Sequence, residues 1–177
     1  MRSLIPVAHV SLVLAGHVFA DSHDDKSHRC LAKGEADDIV ERWTSLSKAV
    51  NPEVAYELLS QDFTYFSDSE DFVAGREVDS NRLPTYSSAV EYVSALVALQ
   101  ADGSLKDRVV TVMNTAVGCD TITFRWRFDA KATGNDRLST NMEGDPFGVG
   151  GLDLLHVDLT TNKLDVVHTE FNVGAIL

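Results

Sequence analysis

Residues 121–130, TITFRWRFDA, alternate with a period of two. Ile122, Phe124, Trp126, Phe128 and Ala130 fall on one face, and Thr121, Thr123, Arg125, Arg127 and Asp129 on the other. Only an extended strand separates two residue classes this way, with one face on a core and one toward water. The rest of the chain must supply the layer that covers the apolar face.

That layer comes from the N-terminal half. Ala36, Ile39, Val40, Trp43 and Leu46 recur at intervals of three and four, which predicts a helix. Asn51-Pro52 predicts a second, with Asn as cap and Pro at the first helical position. Its apolar stripe is Val54, Ala55, Leu58 and Leu59. The stretch DFTYFSDSEDFVAG reads as one or two short strands with a turn around Ser67 to Glu70. A polar loop, residues 75–84, precedes a capping box at Ser88-x-x-Glu91 and a third helix with Ala89, Val93, Leu96 and Val97 inside. ADGS ends it. Residues 109–117, 121–130, 152–159 and the C-terminal segment then read as strands joined by hairpins. Helices followed by clustered strands define an α+β fold with an antiparallel sheet.

The C-terminal segment DVVHTEFNVGAIL carries the candidate chemistry. With Thr161 and Asn162 at the centre of a two-residue turn, Val157 faces Val166, Leu155 faces His168 and Asp153 faces Glu170. The apolar pairs near the turn identify this as the core face. His168, Glu170 and Asn172 are therefore expected to point inward, joined by Asp153. Buried carboxylates without partners cost several kcal/mol. The group is thus either a satisfied structural His–Glu pair or an acid/base pair in a pocket. In the same register Leu152, Leu154, Val167, Phe171 and Val173 lie outside, an apolar patch that suits a homodimer contact.

The termini and charge narrow the class further. Arg2, an apolar run from Leu4 to Phe19 and the tripeptide Val18-Phe19-Ala20 resemble a secretory signal peptide over residues 1–20. The run is too short for a comfortable membrane span, and no later segment reaches about 18 apolar residues. Residues 21–29 are polar and expected to be disordered. Cleavage after Ala20 would put His23 third in the mature chain, a geometry that suits Cu(II) as a weak alternative to no metal at all. Formal charge is −12 with no basic run, which disfavours nucleic acid and anionic membranes as partners. Cys30 and Cys119 are the only cysteines, and in an oxidising compartment they are expected to pair. Phosphate loops, nucleophile elbows and HExxH motifs are absent.

With these elements in order, the chain resembles the NTF2-like (SnoaL-like) superfamily, and more narrowly its secreted fungal members. The resemblance rests on RCLAKGEADDIVERW, LLSQDFTYFSDS, VGCDTITFRWRF and VVHTEFNVGAIL, and covers residues 30–177. It implies a cone of three N-terminal helices packed on a strongly curved mixed or antiparallel sheet, with an elongated pocket between them. It also implies cofactor-independent chemistry, such as isomerisation, dehydration, cyclisation or pericyclic ring closure of an apolar secondary metabolite. No family residue set maps onto this chain position by position. The residues themselves nominate His168 as general acid/base, Glu170 or Asp153 as its orienting partner, and Tyr65 as a hydroxyl donor. Trp43 and Trp126 are candidate pocket walls, with Asn172 beside them. A secreted, non-catalytic ligand-binding or effector-type protein is the alternative reading.

Overall fold

The computed structural model describes residues 29–78, 83–134 and 142–172. The expected signal peptide, His23 and Val173 lie outside the described residues. Helix α1 (Lys33–Lys48) is followed by α2 (Pro52–Leu58), strand β1 (Leu59–Phe66), the short helix α3 (Asp68–Val73) and helix α4 (Ala89–Ala101). Strands β2 (Leu105–Val117), β3 (Thr121–Ala132), β4 (Pro146–Asp158) and β5 (Lys163–Phe171) complete the fold. The sheet order is β1-β5-β4-β3-β2, with β1 parallel to β5 and every other pair antiparallel. The fold is therefore α+β with a mixed sheet, as expected.

The 3–4 periodicity of α1 is realised in full: Ala36, Ile39, Val40, Trp43 and Leu46 are all buried. They pack on the inner sheet face, where Ile122, Phe124, Leu155, Val157, Leu164 and Val167 are buried too. Asn51 caps α2 by accepting from the Glu53 amide at 3.0 Å. Ser88 caps α4 by accepting from the Glu91 amide at 3.2 Å. The segment expected to turn at Ser67–Glu70 instead opens α3. Ser67 accepts from the Glu70 amide at 3.1 Å, a cap that makes the turn helical.

Cys30 and Cys119 form a disulfide. It fastens the segment before α1 to the β2–β3 connection, where the Leu31 amide also donates to the Cys119 carbonyl at 2.8 Å.

The β4–β5 hairpin departs from the expected register. Asp158 pairs with Lys163, so the loop holds four residues instead of two. Asp158 organises it, accepting from the Thr160 amide (2.9 Å) and from the hydroxyls of Thr160 (2.6 Å) and Thr161 (2.8 Å). Asn162 closes it in the left-handed region at φ 56°. Val157 then faces Leu164, but His156 faces Val166, so one extra β5 residue bulges at this point. A bulge flips every side chain beyond it. Past the bulge Leu155 faces Val167, Leu154 faces His168, Asp153 faces Thr169 and Leu152 faces Glu170.

The flip corrects several expectations. His168 and Glu170 lie on the outer face, and Val167, Thr169 and Phe171 on the inner one. The outer patch accordingly loses Val167 and Phe171. It keeps Leu152 and Leu154, and Val109, Met113 and Val117 of β2 are exposed as well.

Candidate active site

Asp153 keeps its inward orientation and becomes the centre of the site. It is 4% exposed. The indole of Trp43, from α1, donates to Oδ2 at 2.7 Å, and the indole of Trp126, from β3, donates to Oδ1 at 2.7 Å. Trp126 reaches along the sheet because its partner on β4 is Gly151. A Cβ at Gly151 would lie 2.4 Å from Trp126 Cζ2 and 2.6 Å from the Glu170 carbonyl oxygen. A side chain there would push the indole off the carboxylate.

Burial pushes the Asp153 carboxyl up to about 6, against the two indole donors, which favour the charged form. A carboxyl poised this close to neutrality exchanges a proton readily in either direction.

Aromatic rings wall the space in front of it. Trp43 stacks on Tyr92 of α4 with centroids 5.5 Å apart and planes 8° from parallel. Tyr92 stacks in turn on Tyr65 of β1 at 4.9 Å. Burial holds both phenols well above their ordinary value, so both stay protonated as hydrogen-bond donors. A second carboxyl comes from α3: Glu70 accepts a short hydrogen bond from the Tyr86 hydroxyl. Burial raises Glu70, opposed by Tyr86 and by Arg76. Tyr86 is pushed up to about 12, by burial first and by Glu70 second. Arg76 lies 5.5 Å from the centroid of the Tyr86 ring and binds Asp71 through Nε at 2.8 Å, which fixes this edge of the site.

These groups line a cavity of about 460 Å³ between the helices and the sheet. Its remaining wall is mostly apolar, with Leu96, Leu99, Val110, Phe128, Phe147 and Val149. The volume suits a small organic molecule.

Of the residues nominated from sequence, Asp153, Tyr65, Trp43 and Trp126 meet at this cavity. His168, Glu170 and Asn172 do not line it. His168 stacks on Phe66 on the outer face, with centroids 4.7 Å apart. Glu170 accepts from the amides of Asp68 (3.0 Å) and Ser69 (3.1 Å) at the start of α3. Asn172 is exposed. His156, on the outer face, is engaged by Asp165 at 2.5 Å.

Sequence reasoning missed Glu70, Tyr86, Tyr92 and Thr169. Two signals were available. Ser67-x-x-Glu70 is a capping-box pattern, and Tyr92 lies three residues after Ala89 and four before Leu96, on the apolar face of α4. Among the described residues no group of three His, Cys, Asp or Glu side chains is arranged to hold a metal ion. No helix among them is long and apolar enough to cross a membrane.

A mixed sheet covered by helices, with a largely apolar cavity between the two layers and a buried acid in its wall, defines the architecture. The NTF2-like domain matches residues 29–177, and the chain belongs to that family. No similar sequence is found among curated proteins. The fold is similar to that of a candidate polyketide cyclase from Acidithiobacillus ferrooxidans, at 14% identity and a TM-score of 0.64, covering 82% of this chain and 94% of that one. It is also similar to IdmH, a candidate polyketide cyclase from Streptomyces antibioticus, at 15% identity and a TM-score of 0.62, covering 80% and 94%. A protein of ketosteroid-isomerase-like fold from Catenulispora acidiphila, solved with trimethylamine, matches at 15% identity and a TM-score of 0.56, covering 79% and 89%. These likenesses establish the fold.

Proposed function

We propose that this protein is a secretory-pathway enzyme that moves protons on a largely apolar metabolite, in an isomerisation, cyclisation or dehydration driven by its own side chains. The observation that carries this reading is Asp153: a carboxyl raised to about 6, held by two indoles at an apolar cavity. Its carboxylate takes a proton from carbon beside a carbonyl and returns it at another atom of the same molecule. The phenols of Tyr65 and Tyr92 supply donors for the oxygen on which charge develops. The apolar wall excludes water and strengthens these interactions. A disulfide and the N-terminal sequence both support export.

Hydrogen–deuterium exchange into 2-tetralone, followed by NMR in D2O, tests the proton transfer without knowledge of the natural substrate. The protein is expected to accelerate exchange above the buffer rate, and Asp153→Asn to remove that acceleration. No acceleration by the wild type sinks the reading.

One observation favours a second reading. Both oxygens of Asp153 already accept from an indole, as a purely structural carboxylate would. A secreted ligand-binding or effector-type protein would bind the ketone without exchanging its protons.

A further inference from the structure

We infer that Arg108 is the anchor for a carboxylate on the ligand, so that the cavity takes an acidic molecule with an apolar body in one orientation. The inference rests on the cavity being a small-molecule site, and extends that reading to the class of ligand.

The cavity wall carries three charged side chains: Asp153, Glu70 and Arg108. Arg108 is its single cation. The chain has 27 acidic residues against 15 basic ones, and Arg29, Arg42, Arg76 and Arg127 each lie against a carboxylate. Arg108 does not. Among the described residues no carboxylate forms an ion pair with it within 4.0 Å. Its partners are neutral: Nε donates to the Leu105 carbonyl at 3.3 Å, and Nη2 to the Leu99 carbonyl at 3.4 Å. Those bonds fix the guanidinium between the end of α4 and the start of β2. They also leave Nη1 and the second Nη2 hydrogen available, the end-on fork that matches a carboxylate.

The backbone is shaped to place it. Asp107 sits in the left-handed region at φ 56°, and the β2–β3 register shifts between Lys106 and Val109. A bulge re-aims a side chain in this way. Burial lowers the Arg108 pKa, the signature of a cation drawn partly out of water. An anion from the ligand would supply the missing counter-charge.

The surroundings agree in sign. Arg108 also borders a shallow depression shared with Lys48 and Lys106. The one acid there, Asp107, is bound by Lys131 at 3.0 Å, and Lys106 is bound by Glu143 at 3.1 Å, so Lys48 and Arg108 are the rim cations without an ion pair among the described residues. This rim is basic on an acidic protein, so an anion is drawn to it and repelled from Asp153 and Glu70.

The two ends are well separated. Arg108 is level with Ala130 on β3, and Asp153 faces Phe124, six residues away along the same strand. At ~3.3 Å per residue the backbone separation is roughly 20 Å. The arginine and indole side chains reach into that span. A bicyclic or tricyclic body would fill the remainder, past Val110, Phe128 and Phe147, and present its neutral end to Asp153.

The test is calorimetric binding of 2-naphthoate and of its neutral counterpart, 2-naphthalenemethanol, near pH 7.5. The wild type is expected to bind the naphthoate about tenfold or more tightly than the alcohol. That preference should shrink as salt rises. Arg108→Gln should bring the ratio of the two affinities close to one, and Arg108→Lys should restore part of the preference. Equal binding of both probes by the wild type overturns the anchor, as does a preference that survives in Arg108→Gln or an absence of naphthoate binding. Equal binding leaves the cavity reading standing. A naphthoate preference without ketone exchange would retain the anchor and remove the enzyme.

Discussion

The indole Nε1 of Trp43 donates to Oδ2 of Asp153 at 2.7 Å, joining α1 to β4 across 110 positions of sequence. The same bond serves packing and chemistry. It satisfies the indole N–H on the buried face of α1, and it holds a carboxyl that burial would push higher still. Trp43→Phe keeps most of the ring and deletes the donor. The Asp153 pKa should then rise beyond about 6, and the acidic limb of the exchange rate should move to higher pH. Loss of a hydrogen bond to a charged group should also cost about 1.5–3 kcal/mol at pH 8. A pH–rate profile and a denaturant titration check both. An unmoved acidic limb would mean that Asp153 does not set the rate.

Asp153 itself makes stability depend on pH. Its folded pKa lies above the unfolded value, so the folded state binds the proton more tightly. Stability from this group is present below about 3.8 and is lost as pH rises through about 6. The gap corresponds to roughly 3 kcal/mol. Asp153→Asn does not titrate. Its amide also sets an N–H against one indole N–H, at a pH-independent cost of about 1–3 kcal/mol. The variant should therefore melt below the wild type at pH 4, and the difference should shift in its favour by about 2–2.5 kcal/mol by pH 8. Parallel melting curves across that range would contradict the buried, raised carboxyl.

The outer-face residues give the complementary expectation. Glu170 accepts from the Asp68 and Ser69 amides and so ties α3 to β5. Glu170→Gln should cost about 1–2 kcal/mol, in the range of a lost cap. His168→Ala loses the stack on Phe66, about 0.5–1.5 kcal/mol. Both should leave ketone exchange and naphthoate binding unchanged. Loss of exchange in His168→Ala, at unchanged stability, would restore histidine chemistry to the site.

These variants also mark where the sequence was legible. The apolar face of α1, the alternation of β3 and the inward turn of Asp153 were all readable, because helix and strand periods persist over many residues. Near the hairpin the expected faces hold: Val157 and Leu164 are buried. One bulged residue then reverses the parity of β5, and with it His168 and Glu170. Period-two reasoning cannot register a bulge that leaves the alternation unmarked. The contribution of α3 was hidden differently. Ser67 and Glu70 form a helix start within a stretch whose aromatic residues favour strand, and the cap decided the outcome. Arg108 was invisible because its meaning lies in the carboxylates that it lacks, which only the fold reveals.

The disulfide provides a test of the fold that is independent of the cavity. Cys30 and Cys119 are 89 positions apart, so the bridge removes considerable freedom from the unfolded chain. The chain-entropy model gives about 4–5 kcal/mol for a loop of this size. The paired Cys30→Ser, Cys119→Ser variant should unfold at correspondingly lower denaturant, with a steeper slope because the unlinked unfolded chain exposes more surface. A loss under about 1 kcal/mol would indicate that the segment before α1 is held by packing alone.

A last expectation concerns the rim of the sheet, where His156 lies between two carboxylates. Its Nδ1 is 2.5 Å from Asp165, at the bulge, and its Nε2 is 3.4 Å from Asp120, beside the disulfide. The hydrogen bond to Asp165 is the main cause of a raised pKa, opposed by partial burial. For a base raised in the folded state, the stabilisation is complete below the unfolded value of 6.5 and is lost as pH climbs through the folded one. The side chain is 41% exposed, so solvent screening holds the effect below about 1 kcal/mol. His156→Gln, which keeps a hydrogen-bonding group without the charge, should be less stable than the wild type at pH 6 and match it at pH 9. The coulombic part of the difference, from Asp165 and Asp120, should shrink in high salt. A stability difference that persists to pH 9 would instead assign His156 a packing role at the bulge, and Asp165→Asn would then show no pH dependence of its own.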